Sequence, residues 1–80
     1  MNLHELEVGQ RAMVEKLPTG GGLRRRLQEL GLVVGTQVEC VLKGPTGDPR
    51  AFLISGAVIA LRKEDAAQVW ISEVGMETVR

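Results

Sequence analysis

The sequence predicts a mainly β domain, a small, partly open barrel of SH3-like type with about five strands, one short helix and one helical turn. Three observations predict it. Ten glycines and three prolines in 80 residues punctuate the chain between apolar segments, which implies many short elements joined by tight turns. Gln37 to Lys43 alternates apolar and polar residues with the period of a half-buried strand. One segment, Leu23 to Leu30, has helical periodicity instead. Strands this short in so small a chain must close on themselves or leave open edges, and a small barrel is the compact solution.

Taken in order, Leu3 to Leu6 is a lead-in and Val8-Gly9 a turn before the first strand, Arg11 to Leu17. Pro18 to Gly22 ends that strand in a Gly-rich loop. Leu23, Leu27 and Leu30 then recur at i, i+4 and i+7, within about 60° of one another on a helical wheel, and Gly31 serves as the C-cap. Two helical turns do not persist alone, so this stripe must pack on a sheet. Gly35-Thr36 turns into the strand Gln37 to Lys43, whose inward positions are Val38, Cys40 and Leu42. Gly44-Pro45-Thr46-Gly47-Asp48-Pro49 fixes a loop. Ala51 to Ser55 and Ala57 to Leu61 form a hairpin about Ser55-Gly56, with Ile59 and Leu61 in the core. Arg62 to Gln68 suits one helical turn, and Val69 to Val74 a last strand with Val69, Ile71 and Val74 on alternate positions. Residues 1–74 thus make one domain, and residues 75–80 a loose C-terminal tail.

Composition excludes several functions. Ten Lys+Arg against ten Asp+Glu give zero formal net charge, whereas general nucleic-acid binders carry a basic excess. With two aromatics, Phe52 and Trp70, a base-stacking platform is nearly absent. One Cys and one His permit no intrachain disulfide and no Cys/His zinc cluster. Cys40 reads as a small core residue, His4 as a solvated side chain, and no dedicated metal site or cofactor is expected. No apolar run approaches the roughly 20 residues of a spanning helix, and the N-terminus lacks the layout of a signal peptide. A soluble, cytoplasmic protein is the expectation.

Catalysis finds no support. Ser55 and Ser72 lack a nucleophile-elbow context, and the acids are scattered singly rather than paired. Gly20-Gly21-Gly22 precedes a helix but lacks the Lys-Ser/Thr and the Gly spacing of a phosphate loop. Arg24-Arg25-Arg26 is the one charge cluster. Arg25 lies opposite the leucine stripe with Glu29 four residues on as a partial counter-charge, while Arg24 and Arg26 flank the stripe. The cluster is either a solvated face or a docking patch for an acidic protein surface, since Arg is enriched among interface anchors.

The stretch Leu23-Arg24-Arg25-Arg26-Leu27-Gln28-Glu29-Leu30-Gly31-Leu32, with Gly35-Thr36, resembles the helix-and-turn signature of the FeoA family. Gly44 to Pro49, Gly56, Ile59-Ala60-Leu61-Arg62 and Glu64-Asp65-Ala66 follow in that family's order. The resemblance covers roughly residues 3–74. It implies an SH3-like barrel and a small cytosolic accessory, without iron ligands of its own, to FeoB, the ferrous iron transporter with a GTPase domain. Two features depart from the family: the scarcity of aromatics, and Ala57 where a bulkier residue is expected. The barrel also resembles the C-terminal domain of iron-dependent transcriptional repressors, which makes a stand-alone regulatory domain the alternative.

The expected function is therefore a non-enzymatic interaction module docking on the cytosolic, GTPase-containing part of a FeoB transporter. The partner would recruit it to the inner face of the membrane. The expected contact comprises Gly20, Gly21, Gly22, Arg24, Arg25 and Arg26 with the loop residues Pro45, Thr46, Gly47 and Asp48, because loops on a rigid scaffold commonly carry recognition. An exposed barrel edge also makes a homo-oligomer feasible.

Overall fold

The computed structural model describes residues 1–72 and the backbone of Gly75–Met76. A 3-10 turn, Leu3–Glu5, precedes β1 (Gln10–Lys16), α1 (Gly21–Glu29), β2 (Gln37–Lys43), β3 (Arg50–Ile54), β4 (Ala57–Leu61), α2 (Lys63–Ala66), β5 (Trp70–Ile71) and β6 (Gly75–Met76). The sheet runs β4-β3-β2-β1-β5 with antiparallel neighbours, and β6 pairs with β1. This is the mainly β, partly open architecture expected. The last strand is shorter than its sequence segment, and Val74 lies outside the described residues. The stretch 75–80, patternless in sequence, starts with two residues that face Gln10 and Arg11 across the sheet.

Local chemistry explains the turns. Gly31 follows α1 at φ 101°, the left-handed conformation a side chain disfavours. Its N–H donates to the Gln28 carbonyl and that of Leu32 to the Leu27 carbonyl. These paired bonds form a Schellman cap, and Leu27 and Leu32, both fully buried, supply its apolar contact. Ser55 and Gly56 take φ of 50° and 85°, the two left-handed residues of the hairpin turn that matches strand twist.

The core gathers Leu3, Leu6, Val14, Leu17, Leu27, Leu32, Val38, Cys40, Phe52, Ile54, Leu61, Val69 and Ile71 with smaller alanines. Leu23, Leu30 and Ile59, expected in the core, are half-buried and pack against it. The lead-in is a wall of the barrel rather than a preface to it. The Leu3 N–H donates to the Val69 carbonyl and the Ile71 N–H to the Met1 carbonyl, so Leu3 and Leu6 seal the interior.

Leu42 departs from expectation: it is 64% exposed. Cys40 pairs with Phe52 but Leu42 pairs with Ala51, so Val41 is an extra residue in β2. Such a bulge breaks the two-residue alternation and turns every later side chain to the opposite face. β1 does the same at Glu15: Val14 faces Ile71 inside, whereas Lys16 faces Trp70 outside.

Leu27→Ala should therefore cost about 2–5 kcal/mol, and Leu42→Ala less than about 0.5 kcal/mol. Urea unfolding of the two variants checks both, and equal losses would contradict the bulge.

Candidate docking surface

The two segments expected to form the contact are joined through α2. Asp48, in the 44–49 loop, accepts a hydrogen bond at Oδ1 from the Lys63 main-chain N–H at 2.9 Å, capping α2 from outside its own segment. Asp65, also in α2, takes Arg26 of α1 in a 3.0 Å ion pair. A four-residue helix thus carries the loop on one contact and α1 on another.

The loop is held in one shape. The Gly44 N–H donates to the Pro49 carbonyl at 2.8 Å and the Gly47 N–H to the Gly44 carbonyl at 2.9 Å, and the Asp48-Pro49 peptide is cis. The Thr46 hydroxyl donates to the Asp48 carbonyl at 3.4 Å, and Pro45 and Thr46 are exposed at the tip. A Cβ on Gly44 would lie 2.6 Å from the Asp48 carbonyl oxygen, so no other residue fits without moving backbone.

Beneath the loop lies Arg50, 9% exposed. Its Nε donates to the Gly47 carbonyl at 3.0 Å and its Nη1 to the Leu6 carbonyl at 2.7 Å. Its guanidinium also lies 3.4 Å from Glu7, which pairs with Lys43 at 3.0 Å. The hydrogen bond and charge of Lys43, and then Arg50, hold the Glu7 carboxyl below its ordinary value.

The arginine triplet divides its work. Arg24 Nη1 donates to the Pro18 carbonyl at 3.1 Å, securing the entry to α1. Arg26 is taken by Asp65. Arg25 is exposed and pairs with no acid among the described residues, Glu29 included. Gly20 is the N-cap of α1, and Gly21 and Gly22 form its first turn rather than a loop; all three are exposed.

A neighbouring feature is not evident from the sequence. Trp70 is 47% exposed and lines an open groove of about 400 Å³ with Lys16, Leu17, Pro18, Thr19, Ala67 and Gln68. Pro18 is the residue that anchors Arg24, so the groove adjoins the root of α1. Val69 and Ile71 point into the core, so alternation turns Trp70 outward, and the bulge in β1 brings Lys16 out opposite it.

His4, expected in solvent, is half-buried, and its Nδ1 is sealed without a hydrogen-bond partner among the described residues. Burial, then the charge of Arg50, lowers its pKa despite the opposing fields of Asp48 and Glu5. Burial pushes the Cys40 thiol up, so it stays protonated in the core. Among the described residues, no three His, Cys, Asp or Glu side chains converge as a metal set, and no helix is long and apolar enough to cross a membrane.

Residues 1–73 match the FeoA domain. The chain belongs to the FeoA family. It is 35% identical over 69 residues to an Fe(2+) transport protein A/Fe(2+) transporter FeoB fusion protein of Porphyromonas gingivalis. That match takes in 86% of this chain and 8% of the fusion protein, so this FeoA domain spans a small part of that relative's length. Among solved structures it is similar to Stenotrophomonas maltophilia FeoA, an SH3 domain protein in complex with zinc. The two share 36% identity and a TM-score of 0.80, over 90% of this chain and 89% of that one. A manganese-dependent transcriptional repressor superposes with a TM-score of 0.80 at 14% identity, over 89% of this chain and 39% of the repressor. That likeness shows the fold alone. The SH3-like barrel and the link to ferrous iron transport expected from the sequence are those of the family.

Gly44→Ala should lower the melting temperature by several degrees, since a shift of about 4–8 °C accompanies each kcal/mol lost in a domain of this size; a melt like that of the unaltered protein would show that the loop can give. For His4, the folded pKa lies below the unfolded value near 6.5. The unfolded chain then binds more protons, and stability falls as pH drops through and below that value. Thermal melts from pH 7.5 to 5.5 should show this decline, and His4→Gln should flatten it.

Proposed function

We propose that this FeoA domain is a non-catalytic accessory of ferrous iron uptake that docks on the cytosolic, GTPase-containing part of a FeoB transporter. Its place would be the cytoplasm, at the inner face of the membrane. The observation that carries this reading is the P. gingivalis fusion, in which a sequence 35% identical to this one shares a polypeptide with FeoB. Covalent linkage keeps two modules at high effective concentration, an arrangement suited to modules that act together.

The contact we favour is smaller than the sequence suggests. Arg24, Arg26, Gly47 and Asp48 are committed to internal contacts. Arg25, the exposed Gly20–Gly22 turn, the tip Pro45-Thr46 and the groove lined by Trp70 keep their binding capacity. Trp and Arg are the side chains most enriched among residues that dominate interface energy. A regulatory module of the repressor type is supported by fold alone.

Titration of the purified cytosolic part of FeoB with this chain tests the reading by calorimetry. Arg25→Glu and Trp70→Ala should each weaken binding roughly tenfold or more with the circular dichroism spectrum unchanged. Absence of binding by the unaltered chain would overturn the docking reading. Binding that neither variant weakens would overturn the assigned surface.

A further inference from the structure

We propose that two copies of this chain associate edge to edge through β4, in an antiparallel pair about a two-fold axis at Ile59. β4 ends the strand order and pairs with β3 alone. The two-residue turn Ser55-Gly56 makes Ile54 and Ala57 the closing pair of the hairpin. A closing pair exchanges both main-chain hydrogen bonds, and every second residue after it does likewise. Ala57, Ile59 and Leu61 therefore point their main-chain groups at β3. Val58 and Ala60 point theirs outward, and no described residue bonds to them.

Protein edges of this kind are ordinarily blunted by lysine, proline, a bulge or a cover. β4 reads Ala-Val-Ile-Ala-Leu, without charge or proline, and pairs with β3 in unbroken register. Its outward side chains continue an apolar face: Val58 lies beside Leu53, and Ala60 beside Ala51, which in turn faces Leu42. Val58 is 60% and Leu42 64% exposed.

A second copy fits this edge for two reasons. Antiparallel self-pairing sets Val58 opposite Ala60 of the partner subunit, so each N–H on one meets a C=O on the other and the two-fold axis repeats the set. It sets Arg62 opposite Gly56 of the partner subunit, which avoids a like-charge clash, and zero net charge removes long-range repulsion between copies. A five-residue strand contact is small beside a standard interface, so the dimer is weak, with a dissociation constant on the order of 100 µM. This contact uses none of the residues assigned to FeoB docking and stands apart from that reading.

Sedimentation equilibrium of the full chain from roughly 10 µM to roughly 1 mM tests the pairing. The expected result is a monomer shifting to a dimer as concentration rises. Val58→Lys with Ala60→Lys places like charges opposite each other at both pairs and should leave a folded monomer throughout. Val58→Lys with Ala60→Glu places opposite charges there and should restore the dimer, which happens in this register and not through another surface. Amide exchange on the unaltered chain gives a second readout: the Val58 and Ala60 amides should gain protection with concentration. A wild-type monomer at all concentrations, a dimer the double lysine variant leaves intact, failure of the opposite-charge variant to dimerise, or unchanged exchange would each overturn the proposal.

Discussion

The guanidinium of Arg50 is the interaction on which the rest of the molecule depends. Charged side chains are almost never buried without partners, and this one reaches two separate segments from the first residue of β3. It holds the Leu6 carbonyl, 44 residues away, together with the Gly47 carbonyl and the Glu7 carboxylate. Through Leu6 it pins the lead-in that seals the core; through Gly47 it fixes the loop whose Asp48 caps α2. Asp65 of α2 then receives Arg26 of α1. A continuous path of polar contacts thus runs from the sheet to both helices. Removing one partner of such a network leaves the others buried and unsatisfied, which costs more than the bond itself contributes.

That dependence explains what the sequence could reveal. The β2 alternation, the leucine stripe with Gly31, and the Ser55-Gly56 turn are local signals, and each element lies where its signal places it. Arg50 stands among polar loop residues with nothing nearby to announce its burial, because two of its acceptors come from residues 6 and 7. The two bulges are equally non-local. Nothing in Val-Glu-Cys-Val-Leu marks Val41 as the extra residue, yet it turns Leu42 from core to surface. Leu3 and Leu6 look like any short apolar pair until Val69 and Ile71 supply strand-like contacts to the lead-in, at Leu3 and Met1.

The candidate surface was legible in the same uneven way. The arginine triplet stands out in the sequence, but its division of labour depends on Pro18 and Asp65. Two of the three arginines make contacts within the domain, leaving Arg25 exposed and paired with no acid among the described residues. Trp70 faces outward by the alternation of Val69 and Ile71, but the groove around it has no local signal, since the bulge in β1 sets Lys16 opposite it. The open edge did have a signal: apolar residues at consecutive positions of β3 and β4 exceed what one buried face can use.

Charge neutrality links these surfaces. The described ion pairs, Arg11 with Glu39, Arg26 with Asp65, and Glu7 with both Lys43 and Arg50, cancel much of the local field. Apart from the one made by buried Arg50, these pairs are at least partly exposed and add little stability; their effect is to orient elements and quieten the surface. A domain with zero net charge cannot steer a partner over distance. In the docking and pairing proposed above, recognition rests on short-range features: a half-exposed indole in a groove, the exposed guanidinium of Arg25, and main-chain groups at a bare strand edge. Each acts on contact and within a small area, so affinity through any one of them is modest. High local concentration compensates for modest affinity, and fusion to FeoB, as in the P. gingivalis relative, is one arrangement that supplies it.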